Sequence, residues 1–324
     1  MKLFNGILSI IAFGCFLFLI GYASAQEYPA KPITLMVAWP PGGGTDVGAR
    51  IVASIAEREL GKPIVILNKP GAGGQIGFTE LARQKPDGYY IGFINLPSLN
   101  TIILDPDRKA TFDLNSFTPL INQVLDLGVI YAKPDGPYKS LKDVIDEARK
   151  RPGEVRAATT GILSDDHMAI LMLEEAAKVR FRIVHFDGDP PLIAALLGGQ
   201  IDIGFMNISG LVPRVKSGQL RALVVMDKER SKFHPNLPTS VELGYPTVIS
   251  SSARGIAGPK GLPESISKKL QAALKKAMED PEHVEKMEKV GLAVKIMMGE
   301  EYGRYITALH ERMKPKVEES RRDR

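Results

Sequence analysis

Short apolar runs that stop at glycine or proline, each followed by apolar positions three and four apart, recur along this chain. Residues 33–38 form the first run; Pro40 and Pro41 stop it, and Gly42, Gly43 and Gly44 follow. Val47, Ile51 and Ile55 then share one helical face with Val52 and Ala56 beside them, until Gly61 and Pro63 end the pattern. The spacing predicts a strand, a loop without side chains and a helix N-terminus. Such a loop offers backbone N–H groups and the positive end of a helix to an anion. A second copy follows, with an apolar run at 64–67, the loop Asn68-Lys-Pro-Gly-Ala-Gly-Gly-Gln-Ile-Gly77, and a helix starting at 78–84. Neighbouring units of this kind place their loops side by side at one sheet edge, where open α/β sheets bind ligands.

The alternation continues. A strand at 89–94 ends in polar groups, Asn95 and Ser98, at the same edge as the two glycine loops. The run 120–131 is long enough to pass from one domain to another, and Ser140 caps the helix after it. Strands at 155–159, 182–186, 201–206 and 220–225 are separated by polar loops and helical stretches, including helix 168–179. The chain returns at 247–256 and closes with helices at 264–278 and 299–317. Strands and helices alternate throughout, so the class is α/β. A chain that leaves one α/β unit near residue 128 and returns near 249 predicts two lobes, residues 26–127 plus 249–324 and residues 128–248. Two crossover strands join them, and the cleft between closes by a hinge.

Composition adds compartment. The chain has 324 residues, 44% hydrophobic and 24% charged, ample for a packed core. Lys2, an apolar run at 7–20 and the small-x-small triplet Ala23-Ser-Ala25 form a secretory signal peptide, residues 1–25, with a mature chain from Gln26. The sole cysteine, Cys15, lies inside it, so disulfides, thiolate metal sites and cysteine nucleophiles are excluded from the mature chain. Formal net charge is +5 and basic residues are interleaved with acids, without the clustered basic and aromatic stripe that nucleic acid requires.

Several motifs then carry a resemblance. Tyr28-Pro-Ala-Lys-Pro-Ile33, the Pro-Pro-Gly-Gly-Gly-Thr-Asp46 run, the Asn68–Gly77 loop, Pro86-Asp-Gly-Tyr89 and Leu196-Leu-Gly-Gly-Gln-Ile-Asp202 resemble the tripartite tricarboxylate transporter receptors, or Bug proteins, in the family's order. The resemblance implies a periplasmic, two-lobed Venus-flytrap binding protein. Such a receptor captures a small carboxylated solute and delivers it to the membrane permease subunits of a tripartite transporter. It implies no cofactor, no nucleic acid partner and no catalysis, and the expected form is a monomer. Two other classes compete on the same fold: a receptor read by a membrane signalling kinase, and an exported hydrolase.

The candidate site follows loop by loop. In the first, Pro41, Gly42, Gly43, Thr45 and Asp46 are expected at the ligand, with Thr45 or Asp46 also capping the helix. Each main-chain donor to a carboxylate contributes about 1.5–3 kcal/mol. The second loop fails the dinucleotide fingerprint at Ile76 and lacks a P-loop ending. The resemblance assigns it a share of the carboxylate clamp, through Ala72, Gly73 and Gly74. In the third loop Leu163 replaces a glycine common in related receptors, and Asp165-Asp166 precede His167. Ser164 reads as a helix cap there. Ser164, Asp165, Asp187 and Asn207 form the expected specificity set of the second lobe. Asp165 and Asp187 would favour a ligand with hydroxyl, amide or ammonium groups. His167 and His185 have no zinc spacing, and no nucleophile elbow is present.

Overall fold

The computed structural model describes residues 28–209 and 211–322. The expected signal peptide and its cleavage point lie outside the described residues. In chain order the elements begin with β1 (Ile33–Val37), α1 (Gly44–Leu60), β2 (Ile64–Asn68), α2 (Gln75–Ala82), β3 (Tyr90–Leu96), α3 (Ser98–Leu104) and β4 (Phe117–Ala132). The middle section carries α4 (Leu141–Lys150), β5 (Arg156–Thr159), α5 (Asp165–Ala177), β6 (Arg182–His185), α6 (Asp189–Leu197), β7 (Ile203–Asn207), α7 (Val212–Lys216) and β8 (Arg221–Val225). The chain ends with β9 (Ser251–Pro259), α8 (Glu264–Glu279), α9 (Pro281–Lys289), β10 (Val294–Met298) and α10 (Gly299–Arg322).

One 10-stranded sheet runs through the molecule in the order β2-β1-β3-β9-β4-β7-β5-β6, with β8 and β10 also paired to β4. β1, β2 and β3 are parallel, and so are β5, β6 and β7. β1, β3 and β7 are buried along nearly their whole length, which is why they read as continuous apolar runs rather than as alternation, while the edge strands β2 and β6 are partly exposed. β4 is the exception that organises the rest. Up to Leu127 it pairs antiparallel with β9, and from Gly128 it pairs with β7 and β8. Apolar cores follow the same division. One gathers β1, β3, α1 and α8 around Leu35, Val52, Phe93 and Leu274; another gathers β5, β7, α4 and α5 around Val144, Ala157, Leu173 and Phe205.

Helix starts differ from the pattern in a consistent way. α1 begins at Gly44 and α2 at Gln75, each three residues before the first apolar position of its stripe. The last glycines of both loops therefore have helical partners. The short α3 escaped the periodicity because its 7 residues make only about two turns and its polar residues Ser98, Asn100 and Thr101 are buried like its apolar ones.

Candidate functional site

The parallel strands of both halves point their C-terminal ends at one cavity of about 20 Å³. Trp39, Pro40, Gly43, Gly44 and Thr45 line it from the first loop, and Asn95 and Ser98 from the end of β3. Thr160, Ser164 and Asp165 face them from the loop after β5, with Gly188 and Asp189 at the start of α6, Asn207 at the end of β7, and Ser252 and Arg254 on β9. The site thus draws on both sections of the chain and on a strand that joins them.

Gly43 is the N-cap of α1 and provides no side chain to satisfy the first-turn amides. Those amides remain available to an acceptor from outside the helix. The N–H of Gly44 donates to Asp189 Oδ2 at 3.3 Å. A methyl group on Gly44 would sit 2.0 Å from Ser209 Oγ and 2.5 Å from Arg254 Nη1, so glycine is the one residue that lets these parts approach.

Arg254 is the hub. The residue is 4% exposed. Nη1 donates to Ser209 Oγ at 2.8 Å and Nη2 to Asn207 Oδ1 at 2.7 Å. Nη2 also lies 2.9 Å from Asp126 Oδ2 in a buried ion pair. Asp126 Oδ1 accepts the Ser209 N–H at 3.2 Å. Burial pushes the Asp126 carboxyl up to about 6 against the opposing pull of Arg254. Asp165 Oδ2 accepts from Asn207 Nδ2 at 2.7 Å, and burial raises its pKa despite that bond and Arg254. Asp189 is raised by burial too, with Arg254 and the Gly44 N–H opposing. Asp166 is held well above the carboxylate range by burial and then by the charge of Asp165; it accepts from the Thr160 hydroxyl.

Among the expected residues, Gly43, Thr45, Asn95, Ser98, Ser164, Asp165 and Asn207 line the cavity. The Thr45 hydroxyl accepts from Asn95 Nδ2 at 2.7 Å, and Ser164 caps α5 through the His167 N–H at 3.2 Å. Other expectations are corrected. Pro41 and Gly42 are exposed outside the cavity. Asp46 neither caps α1 nor faces the cavity: it accepts the Gly42 N–H at 2.9 Å and is held by Arg50 and Asn68. Ala72, Gly73 and Gly74 do not line the cavity either. Ala72 is exposed, and Gly73, at φ 62°, packs so tightly against the third loop that a Cβ would lie 2.9 Å from Ile162 O. That glycine loop packs as a wall against the third loop. Asp187 is exposed, and Asp189, two residues on, occupies the place expected for it.

Leu163 adopts φ 63°, the left-handed region, where the resemblance expects glycine. A non-glycine residue there costs about 1–2 kcal/mol. Its N–H donates to His167 Nδ1 at 3.0 Å and its carbonyl accepts from Thr101 Oγ1 at 2.6 Å. His167 is therefore part of the loop's own bonding. No group of acids and histidines among the described residues is arranged to hold a metal ion.

Arg254, Asp126, Asp189 and Gly44 were not expected at the site. Arg254 and Asp126 carried a readable signal, since each is a lone charge in an otherwise apolar or small-residue strand, and such a charge needs a partner. Val124 is the strand partner of Arg254 and Asp126 that of Ser252, so the two charges are diagonal neighbours across β4 and β9. Only the pairing of those strands makes them a unit.

The geometry can be set beside known proteins. Residues 48–321 match the family model described as "Tripartite tricarboxylate transporter family receptor". Protein BugT of Bordetella pertussis is 31% identical over 263 residues, 81% of each chain. Among solved structures, the periplasmic binding protein BugD superposes with a TM-score of 0.84 at 28% identity, over 90% of this chain and 98% of its own. MatC from Rhodopseudomonas palustris, solved with bound malate, gives a TM-score of 0.84 at 26% identity, over 90% of this chain and 100% of its own.

Proposed function

Because the chain belongs to the tripartite tricarboxylate transporter receptor family, we propose that it is a periplasmic receptor that captures a small carboxylate-bearing organic acid between two lobes. It then presents the acid to membrane permease subunits of a tripartite transporter. The observation that carries this reading is the uncapped N-terminus of α1, whose Gly44 N–H faces the same cavity as the Arg254 guanidinium. A helix N-terminus and a buried guanidinium favour an anion by dipole and charge together. The malate-bound relative MatC supports the same ligand class.

Residues 26–127 plus 249–324 form one lobe and residues 128–248 the other, with β4 and the approach to β9 as crossovers. A cavity of about 20 Å³ holds about one water molecule, so an organic acid enters by the lobes parting. The activity is binding and closure, with no chemistry, and the receptor acts as a monomer after removal of residues 1–25.

A thermal-shift screen of the chain from Gln26 against small carboxylic acids and their amides tests the reading. An acid at a hundred times its Kd adds about 2.7 kcal/mol, a rise of several degrees, while its amide adds little. Gly44→Ala abolishes the rise because the added methyl meets Ser209 and Arg254 before the lobes can close. A sugar or nucleotide that shifts the protein where no acid does would overturn the proposal.

A further inference from the structure

The cavity carries more acids than cations. Among the described residues lining it Arg254 is the sole cation, and Asp165 and Asp189 are both acids. Arg254 is already engaged by Asp126 at 2.9 Å, Asn207 Oδ1 at 2.7 Å and Ser209 Oγ at 2.8 Å. These partners hold it in place, and this one cation faces Asp165 and Asp189 as well as Asp126. Asp165 has an Asn207 amide and Asp189 a backbone N–H at 3.3 Å, and no cation pairs with either at short range among the described residues. The charge of Asp189 raises Asp126, Asp165 and Asp166 in turn, so these carboxyls share one field. A further acceptor adds to them independently. Asn95 is 5% exposed and lines the cavity, and its Oδ1 has no hydrogen-bond partner among the described residues. A buried acceptor without a donor carries an unpaid desolvation penalty, which a donor-bearing solute would recover.

Asp189 also stands where a solute carboxylate would bind, on the first-turn amide of α1. A plain dicarboxylate entering here would displace Asp189 and then place its second anion among the remaining acids. Like charges brought together in a buried site repel strongly. A solute with a cationic nitrogen removes both problems. Its carboxylate takes the Gly44 N–H, and Asp189 turns to its N–H donors.

We propose that the solute is a zwitterion, an amino acid or ω-amino acid, whose ammonium group is received by Asp165, Asp189 and the Asn95 carbonyl. This rests on the carboxylate-receptor reading above and narrows its substrate class.

Isothermal titration with matched pairs tests it: alanine against lactate, aspartate against malate, and 4-aminobutanoate against 4-hydroxybutanoate. Within each pair the ammonium replaces a hydroxyl and little else changes. The expected result is that at least one amino member binds about tenfold or more tightly than its partner. Asp165→Asn and Asp189→Asn, both isosteric, each reduce that preference to about threefold or less while the melting temperature of the free protein does not fall. Equal or tighter binding by the hydroxy member in every pair overturns the zwitterion, and malate binding alone leaves the carboxylate receptor standing. No binding by any amino member also overturns it. Putrescine binding as tightly as 4-aminobutanoate overturns both readings, because it carries no carboxylate.

Discussion

Two aspartates occupy the first turn of a helix and have opposite chemistry. Asp46 opens α1 and Asp165 opens α5; both are almost fully buried, at 2% and 6% exposure. The helix dipole favours a carboxylate at either place, so the dipole cannot separate them. Donor supply does. Asp46 accepts from the Gly42 N–H at 2.9 Å, from Arg50 Nε and Nη2 at 2.9 Å each, and from Asn68 Nδ2 at 3.0 Å. Although burial opposes it, Arg50, Gly42 and Asn68 hold its carboxyl below the ordinary range. Asp165 has the Asn207 amide, and burial wins. A buried acid with all its donors built in is part of the scaffold. One left short of donors is ready to meet a ligand that brings them.

The largest test removes the cation that both lobes share. Arg254→Met leaves Asp126, at 1% exposure, as a buried charge without its partner. Unfolding free energy should fall by about 3–5 kcal/mol. Urea denaturation reads this directly, because Trp39 is the sole tryptophan and lines the cavity. Adding Asp126→Asn to the same chain should restore most of the loss. An unchanged midpoint for Arg254→Met would mean that the pair does not hold the hub.

A smaller effect separates the two aspartates. Asp46→Asn loses the charged acceptor for Arg50 and should cost about 2 kcal/mol while leaving ligand affinity unchanged. Asp165→Asn should cost less than about 0.5 kcal/mol or stabilise, since it removes a buried charge with few donors. Acid titration gives the same contrast with a sign. Asp46 has a depressed folded pKa, so its contribution is present above the ordinary carboxylate range and is lost as pH falls below it. Asp126 is raised to about 6, so its contribution is present below about 4 and is lost as pH rises through 6. Wild type should therefore lose stability relative to Asp126→Asn between pH 4 and 6, and relative to Asp46→Asn below pH 4. Melting temperatures of the three chains across that range decide it.

What could be read from the sequence divides along similar lines. The alternation of apolar runs, glycine loops and amphipathic stretches carried the α/β class, and the long run ending at Tyr131 carried a strand whose partners change at Leu127 and Gly128. Local signals also placed Ser164 as a cap and Asp165 and Asn207 at the cavity. The glycines misled. Gly73 packs closely against Ile162 and does not line the cavity, and a glycine needed for approach looks the same in sequence as one needed for a ligand. Arg254 and Asp126 depend on strand pairing between segments far apart in the chain, which no local period reports.

The smallest expected effect is the sharpest check on the cavity itself. Asp187 and Asp189 lie two residues apart in one loop, and Gly188 lies between them with φ 101°. That conformation turns the chain so that Asp187 faces outward and Asp189 opens α6 against the Gly44 N–H. Asp187→Ala should change stability by less than about 0.5 kcal/mol and leave the preferred solute's affinity unchanged. Asp189→Ala should alter the affinity by about tenfold, because it removes a charged acceptor at the cavity. Titration of both variants with the same solute compares them. Equal responses would mean that the loop only supports the fold. An effect confined to Asp187 would place the site on the wrong side of Gly188, and with it the donor shortage that distinguishes Asp165 from Asp46.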